Sequence, residues 1–271
     1  MLSRHALLPP RLPRVRRLIH SSRSHLTLRS FLDNSDVTDQ HNAYRYAENY
    51  SQPEPPVLAS IREAAVARDP TEAQKMISPL QGAFMRHLVS MQRPKSILEL
   101  GSYIGYSTIW LAHGLQTIPG STLCTCESDQ TIAHIAEENV KLAGLTDTVR
   151  VVNAPADLLL TEWDPSHKLD LVFIDANKSA YRRYYSTILN RDLLSDNGQI
   201  IVDNVLFHGQ VQTQVTTSNA NYADDNVRAA RKAQSIARKM HSFNEFVAKD
   251  PRTTQVLLPI FDGLLLIQKV K

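Results

Sequence analysis

Ser96-Ile97-Leu98-Glu99-Leu100-Gly101-Ser102-Tyr103-Ile104-Gly105-Tyr106-Ser107 is the stretch from which the rest of the chain is read. Its first half is a short apolar run with one acid set into it, the pattern of a strand buried in a parallel sheet. Its second half is a glycine-punctuated turn that opens a helix carrying Trp110 and Leu111. Glycine admits positive φ and lets a backbone approach a ligand closely, while a helix start points free N–H groups into the same gap. A small molecule can therefore sit between the strand end and the helix. The glycine spacing separates the candidates. Dinucleotide folds use G-x-G-x-x-G, which rests a pyrophosphate on the helix N-terminus. Here the pattern is Glu99-x-Gly101-x-x-x-Gly105, with no close glycine pair and with a carboxylate that would repel a phosphate. An acid suits instead a cationic ligand bearing an amino-acid head. An ordinary glycine turn of an α/β protein is the alternative that this segment leaves open.

Working outward, strands are expected near residues 122–127, 149–154, 169–176 and 198–204, with helices near 130–142 and 181–193. That alternation predicts βαβ units, hence an α/β fold with a mostly parallel sheet covered by helices on both faces. Ligands of such sheets bind at the carboxyl ends of the strands. The residues there are Glu99, Glu127, Ala154-Pro155-Ala156, Asp175 and Asp203-Asn204. Glu127 stands where an acid accepts hydrogen bonds from a ribose diol, which fits adenosine in general. Its plainer reading is a neighbour of a helix N-cap at Ser128 or Asp129.

Leu171-Val172-Phe173-Ile174-Asp175-Ala176-Asn177-Lys178 carries the chemistry: an apolar strand delivers Asp175 to the sheet edge, and Lys178 follows as the chain turns into a helix. The next strand, Gly198-Gln199-Ile200-Ile201-Val202-Asp203-Asn204, brings a second carboxylate and an amide to the same edge. Two carboxylates and an amide oxygen form a hard oxygen site of the kind that holds Mg²⁺. Read separately, Asp175 is a helix cap, Asp203-Asn204 a turn and Lys178 a solvated charge; their coincidence at adjacent strand ends favours the metal site.

ELGSYIGYS, FIDANK and VDNVLFHG together resemble the class I S-adenosylmethionine-dependent, cation-dependent O-methyltransferases, the group that includes catechol and caffeoyl-coenzyme A O-methyltransferases. The resemblance runs from about Ile77 to Lys271. It implies a Rossmann-like methyltransferase fold with a seven-stranded, mostly parallel sheet ending in an antiparallel hairpin. It also implies S-adenosylmethionine as cofactor, contacted by Ile77, Glu99, Gly101, Ser102, Ser107, Glu127, Ala156 and Asp175. The divalent cation, Mg²⁺, falls to Asp175, Asp203 and Asn204, with Lys178 as base. Ala154-Pro155-Ala156 matches the loop bordering the adenine, and Ser78-Pro79-Leu80-Gln81-Gly82-Ala83-Phe84-Met85 the segment before the first strand, whose preceding backbone contacts the cofactor. Caffeoyl-coenzyme A enzymes commonly carry an acid at the place of Asn177 and a Trp-Asn pair at that of Phe207-His208, which leaves the acceptor pocket of this chain open. Members of the family are often dimers.

The chain of 271 residues is long enough for one large α/β domain with an extension, and its 42% hydrophobic share supports a sizeable core. Residues 1–32 hold Arg4, Arg11, Arg14, Arg16, Arg17, Arg23 and Arg29 and no acid, the composition of a mitochondrial transit peptide; a disordered basic leader is the other reading. Without those arginines the net charge falls from +3 to −4, so overall charge does not call for nucleic acid. If the leader is not read by the import machinery, the body is expected in the cytoplasm. Residues 33–56 are polar and end in Pro53, Pro55 and Pro56, a linker pattern, and 57–271 is the expected methyltransferase domain. No run of 18 apolar residues is present to span a membrane. Cys124 and Cys126, two apart in a strand, point to one face as core residues of a reducing compartment.

Helices are also predicted over 57–68 and 79–91, and a long basic helix over 226–247 with Val227, Ala230, Ala233, Ala237 and Met240 on one side and Arg228, Arg231, Lys232, Arg238 and Lys239 on the other. Residues 210–225 form a long polar stretch beside the cleft, of the kind that is usually functional or mobile; it corresponds to the variable substrate-side insertion of the family, so the resemblance implies that acceptor choice resides there. Apolar patterns over 253–260 and 264–270, joined through Phe261-Asp262-Gly263, predict a closing hairpin. The leading functional expectation is metal-assisted methyl transfer to a hydroxyl of a small phenolic, catechol-like acceptor. The alternatives are a tRNA hydroxyuridine O-methyltransferase, motivated by the basic helix, and a non-catalytic nucleotide-binding protein. For the leader, residues 1–32 fused to a fluorescent reporter are expected to direct it to mitochondria; diffuse cytosolic fluorescence would count against the transit peptide.

Overall fold

Strands β1 (Ser96–Leu100), β2 (Thr122–Glu127), β3 (Val149–Asn153), β4 (Leu169–Ile174), β5 (Leu194–Val202), β6 (Thr253–Leu258) and β7 (Leu264–Lys269) form one sheet in the order β3-β2-β1-β4-β5-β7-β6. The first five run parallel, and β7 enters antiparallel between β5 and β6. This is the seven-stranded arrangement with a C-terminal hairpin that the sequence predicts. The computed structural model describes residues 37–212 and 227–270, so the leader and most of the stretch after Gln210 lie outside the described residues. Two compact units divide the chain, Met1–Tyr46 and Ala47–Lys271, and all of the sheet belongs to the second.

The helices are α1 (Val37–Asn49), α2 (Pro56–Arg68), α3 (Pro70–Ala73), α4 (Pro79–Gln92), α5 (Tyr106–Leu115), α6 (Gln130–Leu142), α7 (Ala156–Glu162), α8 (Tyr181–Asn190) and α9 (Val227–Ala248). Alternation along the central strands divides the core in two. Leu98, Leu100, Val172 and Ile174 face a layer containing Leu160 of α7, Tyr181, Tyr184, Tyr185 and Ile188 of α8, and Ala237, Met240 and Phe243 of α9. Ile97, Leu171 and Phe173 face Leu58 of α2, Met85 and Val89 of α4, Ile109 and Trp110 of α5, and Val140 of α6. The α8 residues recur at three and four spacings, so one stripe of a strongly amphipathic helix is buried. Each fully buried Leu, Ile or Phe contributes about 1.5–3 kcal/mol over an exposed one. The apolar runs of β1 and β4 therefore anchor the strands whose ends carry polar groups.

Several elements differ from the sequence expectation. Within the polar stretch read as a linker, Val37–Asn49 is helical. Glu54 accepts hydrogen bonds from Arg62 Nε (3.1 Å) and Nη2 (2.9 Å) and from the Tyr106 hydroxyl, tying residues before position 57 to α2 and α5. Helix α7 replaces what reads as a bare turn, because Pro155 stands at its N-cap and hides the short run behind it. Cys126 is buried and Cys124 partly so, packed in the same layer; both are free, and burial pushes their thiols up to about 12 and about 11. Of the basic helix, Ala237 and Met240 are buried and Arg231, Arg238 and Lys239 exposed, while the side chains of Val227, Arg228, Ala230 and Lys232 lie outside the described residues. Among the described residues no helix is long and apolar enough to cross a membrane.

Glu99 braces the turn on which the site depends. Its side chain is completely buried, at 0% exposure, and accepts hydrogen bonds from Ser107 Oγ (2.6 Å), Thr125 Oγ1 (2.6 Å) and the Thr108 hydroxyl. One carboxylate thereby joins β1, β2 and the first turn of α5. Burial pushes the carboxyl from its ordinary 4.5 to about 7, against the pull of the three hydroxyls and with a further push from Asp175. Below pH 4.5 both folded and unfolded chains hold the proton; between 4.5 and about 7 the unfolded chain ionises first and stability falls as pH rises. At about 1.4 kcal/mol per pH unit, the gap between 4.5 and about 7 amounts to about 3 kcal/mol. Glu99→Gln, which keeps the shape and cannot ionise, is expected to gain on wild type by that order between pH 4.5 and 7.5 in chemical denaturation, with no further gain above. A difference independent of pH would show that Glu99 is charged or solvated in the folded state.

Candidate active site

The register of the parallel strands lines up the ends of β1, β4 and β5. Leu100 pairs with Ile174 and Ile174 with Val202, and the next amides continue the ladder: Asp175 N donates to Leu100 O (3.0 Å) and Asp203 N to Ile174 O (3.0 Å). Gly101, Asp175 and Asp203 are the first residues past those pairs, side by side on one edge. The strand order reverses between β1 and β4, the switch point at which open α/β sheets form their ligand crevice.

Gly101 is required at this edge for a steric reason. Its φ is +93°, and a Cβ there would stand 2.4 Å from the carbonyl oxygen of Asp175. The backbone N–H groups of Gly101 and Ser102 both donate to Cys126 O, at 3.1 and 3.0 Å, which folds the loop over the end of β2. Ser102 is 2% exposed, and Gly105, at φ +83°, caps α5. Glu127 accepts from Tyr103 N (3.1 Å), Asp129 N (3.0 Å) and Ser128 Oγ (3.3 Å), so its carboxylate joins the glycine loop to the start of α6. Ala156 opens α7 and is packed in the core. Ile77 is packed in the opposite layer, one residue before Ser78, whose Oγ caps α4 by accepting from Gln81 N (3.1 Å). The structure thus brings Gly101, Ser102 and Glu127 into one loop cluster. Glu99 and Ser107 lie beneath it as its brace, and Ile77 and Ala156 serve as packing at its borders.

The acidic half of the edge is densely polar, with Asp203 buried and Asp175 and Lys178 partly exposed. Asp203 is 2% exposed; its Oδ2 accepts from Gln81 Nε2 (2.8 Å) and its Oδ1 from Asn204 N (2.7 Å). Burial, and then the neighbouring charge of Asp175, push its carboxyl up to about 7. Asp175 is raised by burial and lowered by Lys178, whose ammonium stands 3.4 Å from its Oδ1. Lys178 Nζ also lies 6.0 Å from the centroid of the Tyr181 ring. Asn204 adopts φ 59°, and its Nδ2 donates to Asp262 Oδ2 at 2.9 Å. Asn177 caps the turn that carries Lys178, its Oδ1 accepting from Ser179 N (3.1 Å). Phe207 is buried and His208 exposed, with ring centroids 4.9 Å apart.

Three residues of this cluster escape sequence reading. Gln81 is a polar residue on the buried side of α4, detectable only as a break in that helix's apolar pattern. Asp262 reads as a turn residue of Phe261-Asp262-Gly263, and nothing local ties it to Asn204. Tyr181 belongs to the apolar stripe of α8, yet its hydroxyl is buried with no hydrogen-bond partner among the described residues and feels Asp175 and Asp203.

The arrangement can hold a small ligand over the glycine loop and, beside it, gather oxygen donors and one ammonium around a second group. Residues 48–270 match the O-methyltransferase family. The O-methyltransferase ankF of Aspergillus thermomutatus is 29% identical over 224 residues, 83% of this chain and 91% of that protein. The catechol O-methyltransferase of Niastella koreensis is 37% identical over 167 residues, 60% of this chain and 72% of that protein. Among solved structures, SAH-bound Podospora anserina methyltransferase PaMTH1 superposes with a TM-score of 0.77 at 32% identity, covering 88% of this chain and 97% of that one. With a sheet edge organised for a ligand at the switch point and a family match over nearly all of its second unit, the chain belongs to the O-methyltransferase family, the S-adenosylmethionine-dependent group that its glycine loop resembles.

Proposed function

We propose that this protein transfers the methyl group of S-adenosylmethionine to one hydroxyl of a vicinal diphenol, with a divalent cation held by Asp175, Asp203 and Asn204. The observation that carries this reading is the cluster at the ends of β4 and β5: one buried and one partly buried carboxylate, an amide and the Lys178 side chain on one edge. The donor set fits a hard cation. Burial raises both carboxyls and Asp175 raises Asp203 further, while among the described residues Lys178 is the cation paired with Asp175, so two carboxylates face one ammonium. Two carboxylates and an amide oxygen suit Mg²⁺, which keeps further positions for water or substrate oxygens. Among the described residues no group of three or more His, Cys, Asp or Glu side chains forms a metal site, as expected where the third donor is an amide. A cation bound there supplies a Lewis acid that lowers the pKa of a hydroxyl and fixes its position.

The chain's own residues supply the rest. The glycine loop and Glu127 place the donor beside the edge, and Asp175 lies within the same crevice, next to Gly101. Lys178 Nζ, in its neutral amine form, takes the proton of the attacking hydroxyl and becomes the ammonium paired with Asp175. The carbon–sulfur bond then breaks as the carbon–oxygen bond forms in line, so the protein's task is to align two bound molecules and exclude water. The name of the Niastella koreensis relative supports a catechol-like acceptor. On the basic face of α9, Lys239 donates to Ser179 Oγ at 2.9 Å, beside the turn that carries Lys178, and among the described residues that face gathers no comparable cluster of chemistry-bearing groups.

On this reading, chelation with EDTA abolishes turnover of a catechol while S-adenosylmethionine still binds, and added Mg²⁺ restores it. Asp203→Ala behaves as the chelated enzyme. Lys178→Ala keeps acceptor binding and loses roughly 10²–10⁴-fold in kcat, with part of the rate returning at higher pH as the acceptor ionises unaided. Undiminished turnover by protein verified as metal-free contradicts the role of the cation even if methyl transfer itself is observed.

A further inference from the structure

The C-terminal hairpin reaches back into the site through one side chain. Asp262, in the turn between β6 and β7, lies 58 residues from Asn204 in sequence, yet its Oδ2 accepts from Asn204 Nδ2 at 2.9 Å. Its Oδ1 accepts from the backbone N–H of His208. The backbones interlock as well: Leu206 N donates to Asp262 O (3.0 Å) and Val205 N to Gly263 O (3.1 Å). Contact is close enough that a Cβ on Gly263, at φ +85°, would stand 2.7 Å from Leu206 N. The segment so clamped is unusual, because Asn204, Phe207 and His208 all take positive φ, at 59°, 43° and 52°. Asparagine and histidine enter this region more readily than most residues, but a bulky phenylalanine holds it only where its surroundings impose it. Here the hairpin turn is what imposes it.

An asparagine amide has a donor end and an acceptor end that differ little in shape, so its orientation is decided by its partners. An ionised carboxylate can only accept. By engaging Nδ2, Asp262 leaves Oδ1 as the end that Asn204 presents elsewhere. Rotated by half a turn, the same amide would offer a cation its NH₂ group, which cannot coordinate. We infer that Asp262 is a positioning residue for the metal site, locking Asn204 with its oxygen outward and holding the strained 204–208 loop that carries it. The inference rests on the cation reading proposed above and extends it to a residue outside the coordinating set.

The test is Mn²⁺ binding, followed by the electron paramagnetic resonance of free ion, on the full chain saturated with S-adenosylmethionine. Asp262→Ala is expected to weaken Mn²⁺ roughly 10–100-fold, the usual effect of removing a group that orients a metal ligand. S-adenosylmethionine affinity should stay within about twofold of wild type. Asp262→Asn, which retains an acceptor oxygen and the shape of the turn, is expected to fall between the two and provides the comparison if the alanine variant does not fold. A double-mutant cycle separates positioning from general loosening. If Asp262 acts through Asn204, the Asp262→Ala change adds little on an Asn204→Ala background, whereas a merely structural role adds its full effect there too. Wild-type Mn²⁺ affinity in a folded Asp262→Ala protein, or in Asp262→Asn where the alanine variant does not fold, or full additivity in the cycle, overturns the inference alone. Absence of Asp203-dependent Mn²⁺ binding by the wild type overturns it together with the cation reading.

Discussion

Parallel pairing of β1, β4 and β5 in a single register is the constraint on which the site depends. Because Asp175 N continues the β1–β4 ladder and Asp203 N the β4–β5 ladder, the first polar residues after the apolar runs arrive on one edge without any loop having to carry them there. A slip of one residue would swap Leu100 and Ile174 into the opposite, differently packed layer, so the packing that holds the sheet together also fixes where the carboxylates stand. The site is thus a by-product of core packing on rigid strands.

Placing acids in such a position is unfavourable in isolation, and the structure manages three of them in different ways. Glu99 is surrounded by hydroxyl donors and completes a structural brace. Asp203 accepts from Gln81 and from the backbone of Asn204 but remains raised by burial and by Asp175. Asp262, partly exposed at 20%, has its acceptors committed to Asn204 and His208. At the edge formed by Asp175 and Asp203, burial raises both carboxyls, Asp175 raises Asp203 further, and no set of hydroxyl donors like that around Glu99 is found among the described residues. That is the place where bound positive charge relieves the most free energy.

The sheet, its order of elements and the acids at its edge were legible in the sequence because each is a local pattern: apolar runs of strand length, glycines at a turn, Asp175 and Asp203 directly after Ile174 and Val202. Glu99 was legible as an unusual residue but not in its surroundings, since Thr125 is 26 positions away and its hydroxyl reaches the carboxylate only through strand pairing. Asp262 and Gln81 stayed hidden for the same reason, one in an ordinary hairpin turn and the other 122 positions from the carboxylate it serves. The short helix at Ala156 was missed because a proline before a brief run reads as a turn. Helix Val37–Asn49 was missed because polar, tyrosine-bearing composition carries no core-facing stripe. What sequence conveys here is periodicity; what it withholds is which polar side chain a fold brings to another.

The most direct test of the account is anomalous scattering from crystals grown with S-adenosylhomocysteine and Mn²⁺, recorded at the manganese edge. The account predicts a single strong peak among the side-chain oxygens of Asp175, Asp203 and Asn204, with the Asn204 amide nitrogen still turned toward Asp262. A peak at any other place, or none at Mn²⁺ concentrations that support turnover, would contradict it.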